Sequence, residues 1–135
     1  EAALFSGDHV MGWSTTVVSP PDGNMAAYMA SLARLGARPE TVFWPTHGPA
    51  IQQPAAFVAA LISHREAREE QISKCLQDGI GKIPDIVRHM YADVDPILYG
   101  AAGRSVLSHL IHMVETKRAA CEGAPHGDKE FTIFY

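Results

Sequence analysis

A long helical segment with apolar residues only at its two ends constrains the fold of this chain more than any other feature. The segment begins with Pro54, a residue favoured in the first turn of a helix, and runs to about Gln77. Between its apolar ends lies an almost wholly polar stretch, 63–71, with the sequence SHREAREEQ. This pattern predicts a helix that packs on one core at its start, crosses solvent, and packs on a second core at its end. The chain of 135 residues is therefore predicted to contain two modules, 1–62 and 63–135.

The first module is predicted to alternate strands with a helix. Short runs of strand-forming residues occupy 2–6 and 15–18, and the breaker cluster SPPDG follows the second run. From Asn24 onward, apolar residues recur with the spacing of one helical face, and Gly36 stands at the expected end of that helix. A buried strand at 41–44 comes next. The order β, β, α, β predicts an α/β module.

The second module has the predicted element order of a winged helix-turn-helix. After the end of the long helix come a short amphipathic helix at 83–91 and a third helical stripe at 106–114. Two short strands, 119–122 and 131–135, follow and are expected to pair as a hairpin. Three helices followed by a two-stranded hairpin match the winged helix-turn-helix order. The predicted fold class is thus an α/β module followed by a winged helix-turn-helix module.

The composition excludes a membrane-spanning chain and argues against a nucleic-acid partner. The uncharged run Val10–Pro21 is too short and too rich in Gly, Ser, Thr and Pro to supply a span of roughly 20 apolar residues. The formal net charge of -4 disfavours electrostatic binding to nucleic acid. Cys75 and Cys121 have no partner at metal-ligand spacing, so we interpret them as reduced thiols and expect a cytoplasmic protein.

Two residues that follow β runs, Asp8 and His47, are candidates for metal chemistry. Asp8 comes directly after Ser6-Gly7, and His47 follows the strand 41–44 in a loop of sequence PTHGP. Carboxylate oxygen and imidazole nitrogen are donors that zinc accepts. Each residue taken alone is also an ordinary turn or loop residue. Two ligands do not complete a site, because a catalytic zinc ion takes at least three ligands from protein.

The remaining histidines and the charged run have plainer expected roles. His64 lies in the middle of the long helix, where it could face the first module's site, the junction of the modules, or solvent. His9 follows Asp8 and, in an extended backbone, is expected to point to the side of the chain opposite to Asp8. The run 65–70 contains mixed i, i+4 pairs, Arg65 with Glu69 among them, which is typical of a solvated face. Four further histidines are expected to be structural or exposed: His89, His109, His112 and His126.

Three short motifs in a fixed order resemble a known family. They are Ser6-Gly7-Asp8, then His47-Gly48-Pro49, then Ser63-His64-Arg65. Together with the later helix at 105–110, they resemble the C-terminal part of metallo-β-lactamase-fold hydrolases, in the lactamase-like protein 2 group, which carries a C-terminal winged helix. The resemblance covers nearly the whole chain. It implies the C-terminal part of an αββα sandwich in the first module and a winged-helix domain in the second.

The resemblance also implies roles for individual residues. Asp8 matches the aspartate that bridges two metal ions, and His47 matches the last histidine ligand, on the second metal. His64 and Arg65 are candidates for residues that surround the metal centre or contact the substrate. The family's HxHxDH motif is expected upstream of Glu1, so we expect two zinc ions in the full-length protein and no activity from these 135 residues alone. No residue of the chain is assigned as a catalytic acid, base or nucleophile.

The function implied by the resemblance is hydrolysis by a metal-bound hydroxide, with a small-molecule or RNA substrate that carries an ester, thioester or phosphodiester. One alternative is a nucleic-acid-binding winged helix that presents Arg104, Ser105, Ser108 and His112. Residues from 63 onward carry nine basic and eleven acidic side chains, which disfavours duplex DNA as the partner. A second alternative treats the winged helix as an interaction module and predicts a homodimer.

Overall fold

The structure, a computed structural model, describes residues 2–135 and divides the chain into two compact units. The first unit contains the residues up to Val17 together with Ala27–Arg65. The second unit contains Val18–Ala26 together with Glu66–Tyr135. The long helix contributes its first half to one unit and its second half to the other. None of the helices formed by residues 2–135 has the length and apolar character that crossing a lipid bilayer requires.

A pair of parallel strands forms the sheet of the first unit, with Leu4 opposite Phe43 in the register. Parallel strands need a crossover connection, and the segment that contains a helix between the two strands provides it. The core of this unit includes the fully buried Leu32, Phe43 and Val58. The elements that contribute to the unit are β1 (Ala3–Gly7), α1 (Met25–Gly36), β2 (Val42–Pro45) and the start of α2 (Pro54–Gln77). Both helices and both of these strands are as the sequence predicts.

The strand predicted at 15–18 does not form, and this prediction is wrong. Within the described residues the segment has no strand partner. The Thr16 hydroxyl instead donates to the carbonyl oxygens of Asp8 and His9, so the segment folds back on the preceding loop. Its β-branched residues favour a strand from propensity alone. Contacts with the loop decide its conformation instead.

The second unit has three helices followed by an antiparallel hairpin, as predicted, with Ala120 opposite Thr132 in the hairpin register. Its core joins the end of the long helix to the later helices and to the hairpin; fully buried members include Ile72, Ile86 and Leu110. The elements after α2 are α3 (Ile83–Met90), a short 3-10 helix (Pro96–Leu98), α4 (Tyr99–Glu115), β3 (Ala119–Cys121) and β4 (Phe131–Ile133).

A close backbone approach at Gly81 attaches the hairpin to the segment before α3. The Phe131 N–H donates to the Gly81 carbonyl oxygen at 2.9 Å, and Lys82 forms an isolated bridge with Glu130. A Cβ atom on residue 81 would lie 2.2 Å from the Phe131 carbonyl oxygen, so only glycine fits without displacing the strand. The segment between α2 and α3 therefore also pairs with the hairpin.

Glu69 of α2 is a buried carboxylate that binds three side chains of the second unit. His109 Nδ1 and His112 Nδ1 lie 3.2 and 2.7 Å from its Oε1, and both donate to this oxygen. The Arg118 guanidinium binds Oε2. The Glu69 side chain is only 8% exposed. The prediction that the middle of α2 is a solvated face is therefore wrong at this position.

The three partners of Glu69 stabilise its ionised form. Burial alone raises the pKa of Glu69, but hydrogen bonds from His109, His112 and Arg118 outweigh burial and lower the pKa from 4.5 to about 2. Because the folded-state pKa is the lower one, the stabilisation is present above pH 4.5 and is lost as the pH falls toward 2. This difference in pKa corresponds to about 3 kcal/mol of folding free energy at neutral pH.

We predict that Glu69→Gln lowers the free energy of unfolding by about 3 kcal/mol at pH 7, and that this loss shrinks as the pH falls below about 4.5. Urea denaturation followed by circular dichroism over a pH series measures both effects. Glu66→Gln is the matched control, because Glu66 is exposed on the same helix and should change stability by less than about 0.5 kcal/mol. Equal losses for the two variants would contradict the burial argument.

Candidate metal centre

Asp8 and His47 lie close together because they follow the ends of neighbouring parallel strands. Gly7 at the end of β1 is in register with Pro45 at the end of β2. Asp8 follows β1 immediately and His47 lies two positions after β2. Asp8 Oδ1 is 3.6 Å from His47 Nε2. The carboxyl ends of parallel strands share one edge of the sheet, where α/β proteins commonly build ligand sites.

The distance between these two groups fits two ligands of one metal ion. Zinc ligands at bond lengths of about 2.1 Å in tetrahedral geometry lie about 3.4 Å apart. The Asp8 and His47 side chains are 68% and 54% exposed, so both donors are open to an ion and to further ligands. Residues 2–135 contain no group of three or more His, Cys, Asp or Glu side chains that could hold a metal. The pair therefore has a spacing that suits two ligands of one ion, and further donors would be needed to complete a site.

Backbone contacts clamp the loop after β1 to the loop after β2. The Gly12 N–H donates to the His47 carbonyl oxygen at 2.9 Å, and the Thr46 N–H donates to the Gly7 carbonyl oxygen at 3.1 Å. A Cβ atom on residue 12 would lie 2.3 Å from the Pro49 carbonyl oxygen. Glycine at this position allows the two loops to touch, and their contact fixes the position of the His47 backbone.

Trp13 covers one face of the His47 ring. The two rings are stacked with centroids 6.4 Å apart and planes inclined by 20°. Trp13 is itself 75% exposed. Its position follows from the contact of the neighbouring Gly12 with the His47 loop.

Three hydroxyl groups hold the backbone of the Asp8 loop. The Thr16 hydroxyl donates to the carbonyl oxygen of Asp8 and lies 3.0 Å from that of His9. The Tyr28 hydroxyl, from α1, donates to the His9 carbonyl oxygen at 3.2 Å. The Ser6 hydroxyl donates to the Val10 carbonyl oxygen at 2.8 Å. The peptide groups next to Asp8 are thus fixed while its carboxylate remains free.

Arg65 is buried and binds this same loop, so the prediction of a solvated position is wrong for Arg65 as well. It is 6% exposed, and its Nη2 donates to the Thr16 carbonyl oxygen. Its guanidinium carbon lies 5.4 Å from the centre of the Tyr28 ring. The predicted i, i+4 ion pair with Glu69 is not among the ion pairs that residues 2–135 form. Each of the two charges has partners in its own unit instead.

The other candidate histidines do not join Asp8 and His47. His64 is an exposed residue of α2. The ring of His9 meets the Tyr28 ring edge-on, with centroids 5.0 Å apart. Burial, and to a smaller extent the charge of Arg34, lower the pKa of His9. His9 therefore packs against Tyr28 of α1.

Sequence reasoning missed the residues that support the two ligands. Thr16 was expected in a strand, Tyr28 only on the apolar face of a helix, and Trp13 and Gly12 had no expected role at the site. Their contacts link positions far apart in the chain, such as Tyr28 with His9 and Arg65 with Thr16. No spacing rule within one element could have found them.

Comparison with known proteins identifies the class. Residues 83–128 match the family described as the beta-lactamase associated winged helix domain. Over 138 residues the chain is 30% identical to a beta-lactamase-like protein 2 homolog of Drosophila melanogaster, in a match that covers 99% of this chain and 45% of that protein. Over 72 residues it is 32% identical to an atrochrysone carboxyl ACP thioesterase of Emericella nidulans, in a match that covers 53% of this chain and 22% of that protein. The chain thus spans less than half the length of these relatives.

Solved structures share the fold. A beta-lactamase domain protein from Burkholderia ambifaria superposes with a TM-score of 0.79 at 24% identity, over 97% of this chain and 41% of that one. A metallo-beta-lactamase family protein from Thermus thermophilus gives a TM-score of 0.78 at 19% identity, over 98% and 42%. The chain therefore has part of the metallo-β-lactamase fold followed by a β-lactamase-associated winged-helix domain. Its relatives include homologues of beta-lactamase-like protein 2, which confirms the resemblance predicted from the sequence.

We predict that Gly12→Ala separates the two loops and lowers the free energy of unfolding by about 1–3 kcal/mol, because the added methyl group meets the Pro49 backbone. Urea denaturation of the full-length protein measures the loss. Gly127→Ala is the control, since a Cβ atom on residue 127 would have no neighbour within 4 Å. A Gly12→Ala variant as stable as the control would show that the loops are not in contact as described.

Proposed function

We propose that the full-length protein is a zinc-dependent hydrolase and that Asp8 and His47 are two of its metal ligands. The observation that carries this proposal is the 3.6 Å distance between Asp8 Oδ1 and His47 Nε2 at adjoining strand ends. A carboxylate and an imidazole together form a donor set that suits zinc. By resemblance to the family, Asp8 and His47 are the residues of this chain that would hold zinc.

When bound, zinc polarises the scissile carbonyl group and lowers the pKa of a bound water molecule. The residues of this chain hold and orient the donors. Nε2 is the His47 nitrogen that faces Asp8, so we assign this nitrogen to the metal and the ring proton to Nδ1. The clamped loops fix the distance between the two ligands before any ion arrives.

The proposed substrate is a small-molecule ester or thioester. One relative is named as an acyl carrier protein thioesterase, which supports this chemistry for a protein of the same class. An RNA phosphodiester is the less favoured substrate, because RNA binding rests on a clustered basic surface and these 135 residues carry a net charge of -4. The same charge argument disfavours the alternative of a duplex-binding winged helix.

We predict that Asp8→Ala and His47→Ala each lower the zinc content of the purified full-length protein by about half or more and abolish hydrolysis of a thioester probe, because each removes a ligand of a two-zinc centre. Elemental analysis after gel filtration measures the zinc, and thiol release measures the hydrolysis. The matched control is Asp128→Ala with His126→Ala, since these residues form a second exposed His–Asp pair. Their Nδ1 and Oδ1 atoms lie 2.8 Å apart, and the pair belongs to the second unit. Unchanged zinc content in both site variants would refute the assignment.

A homodimer formed through the second module stays a prediction. The acidic character of that module favours a protein contact over a nucleic-acid contact as the role of the winged helix. Sedimentation velocity of the full-length protein measures its state of association. A monomer at micromolar concentration would contradict the prediction, and a dimer that persists in high salt would support an apolar interface.

A further inference from the structure

We propose that Arg65 is a positioning residue of the metal centre, which fixes the backbone that carries Asp8 by way of Thr16 and Tyr28. The inference rests on the proposed function, because it assumes that Asp8 binds metal. It adds a role for three residues that do not themselves supply a ligand. Groups that orient metal ligands typically change metal affinity by about 10–100-fold when they are removed.

Arg65 is too buried to contact a substrate directly. Only 6% of the residue is exposed, and its Nη2 donates inward to the Thr16 carbonyl oxygen. Among the described residues, no carboxylate forms an ion pair with Arg65. A buried guanidinium without a carboxylate is costly unless other groups compensate its charge. A carbonyl oxygen and the face of the Tyr28 ring are the compensating groups, and both belong to the support of the Asp8 loop.

Thr16 connects Arg65 to the two peptide groups that flank the α-carbon of His9. Its carbonyl oxygen accepts from Arg65. Its hydroxyl group donates to the carbonyl oxygen of Asp8 and is within 3.0 Å of that of His9. The Thr16 carbonyl oxygen is therefore bound by the buried Arg65, and the Thr16 hydroxyl group is bound to the loop. A shift of Arg65 would therefore move Thr16 and, through its hydroxyl group, the backbone of Asp8.

Tyr28 also links Arg65 to one of these two peptide groups, that of the His9 carbonyl. Its ring lies against the Arg65 guanidinium, and its hydroxyl group donates to the His9 carbonyl oxygen at 3.2 Å. Side chains from α2, from α1 and from the loop itself therefore converge on residues 8 and 9. Fixing these peptide groups fixes the direction of the Asp8 carboxylate, while the carboxylate itself stays exposed and free to bind an ion.

Arg68 offers a matched comparison on the same helix. Its guanidinium carbon lies 5.2 Å from the centre of the Tyr91 ring, and its Nη1 donates to Gln71 Oε1 at 3.0 Å. Arg68 thus makes the same kinds of contact as Arg65, a ring and an oxygen, but within the second unit. Replacing Arg68 should disturb α2 without disturbing the Asp8 loop.

The test is zinc affinity of the full-length protein, measured by competition with a chromogenic chelator. We expect Arg65→Ala and Thr16→Val each to weaken zinc binding by about 10–100-fold. Tyr28→Phe should weaken it in the same direction, Arg65→Lys should fall between wild type and Arg65→Ala, and Arg68→Ala should leave it unchanged. The double variant of Arg65 and Thr16 should lose little more than the worse single variant, because the two residues act in series.

A second measurement does not depend on metal. Amide hydrogen exchange of the peptide covering residues 8–16 in the metal-free protein should become faster in Arg65→Ala and Thr16→Val, and should stay at the wild-type rate in Arg68→Ala. Thr16→Val removes one hydroxyl group while keeping the shape of the side chain, so it tests the proposal even if Arg65→Ala does not fold.

The outcomes separate this proposal from the proposed metal site. If Asp8→Ala and His47→Ala keep full zinc content, the metal site is wrong, whatever Arg65 does. If those two variants lose zinc while Arg65→Ala and Thr16→Val keep wild-type affinity and wild-type exchange at residues 8–16, the positioning role is overturned. Equal loss of thermal stability in Arg65→Ala and Arg68→Ala, with no change in affinity, would also overturn it.

Discussion

Two charged side chains, Arg65 and Glu69, are buried one turn apart in α2, and the fold depends on the groups that bind them. Arg65 finds a carbonyl oxygen and a tyrosine ring in the first unit, and Glu69 finds two imidazoles and a guanidinium in the second. A buried ion without partners costs several kcal/mol, so each set of partners is a condition for the fold of its unit. The polar middle of the helix is thus its most specifically bound part.

The parallel pairing of β1 with β2 determines where the proposed metal site lies. It brings the loops that carry Asp8 and His47 to one edge of the sheet, and backbone hydrogen bonds then join those loops to each other. The two loops are consequently joined to each other by main-chain groups, with glycine where they touch, and side-chain groups such as the Thr16 and Tyr28 hydroxyls hold the backbone of the Asp8 loop. The donors can remain exposed because the ordering of the site does not rest on their own side chains.

Much of the architecture was predictable because it is encoded locally. Pro54 marks the start of α2, the 3.6-residue period marks α1 and α3, and the short strands near the end of the chain mark the hairpin. The close placement of Asp8 and His47 was predictable from their positions after strands. The strand at 15–18 and the solvated face of 65–70 were wrong predictions, because long-range contacts made by Thr16, Arg65 and Glu69 override local propensity and charge pattern.

The order of Arg65 and Glu69 along α2 has a consequence for changes that conserve charge. Exchanging the two residues would keep both the net charge of the chain and the composition of the helix. It would nevertheless set a carboxylate against the Thr16 carbonyl oxygen and a guanidinium against that of Arg118, so neither unit would keep the partners of its buried charge. This turn of α2 therefore specifies the place of each charge and not only their sum.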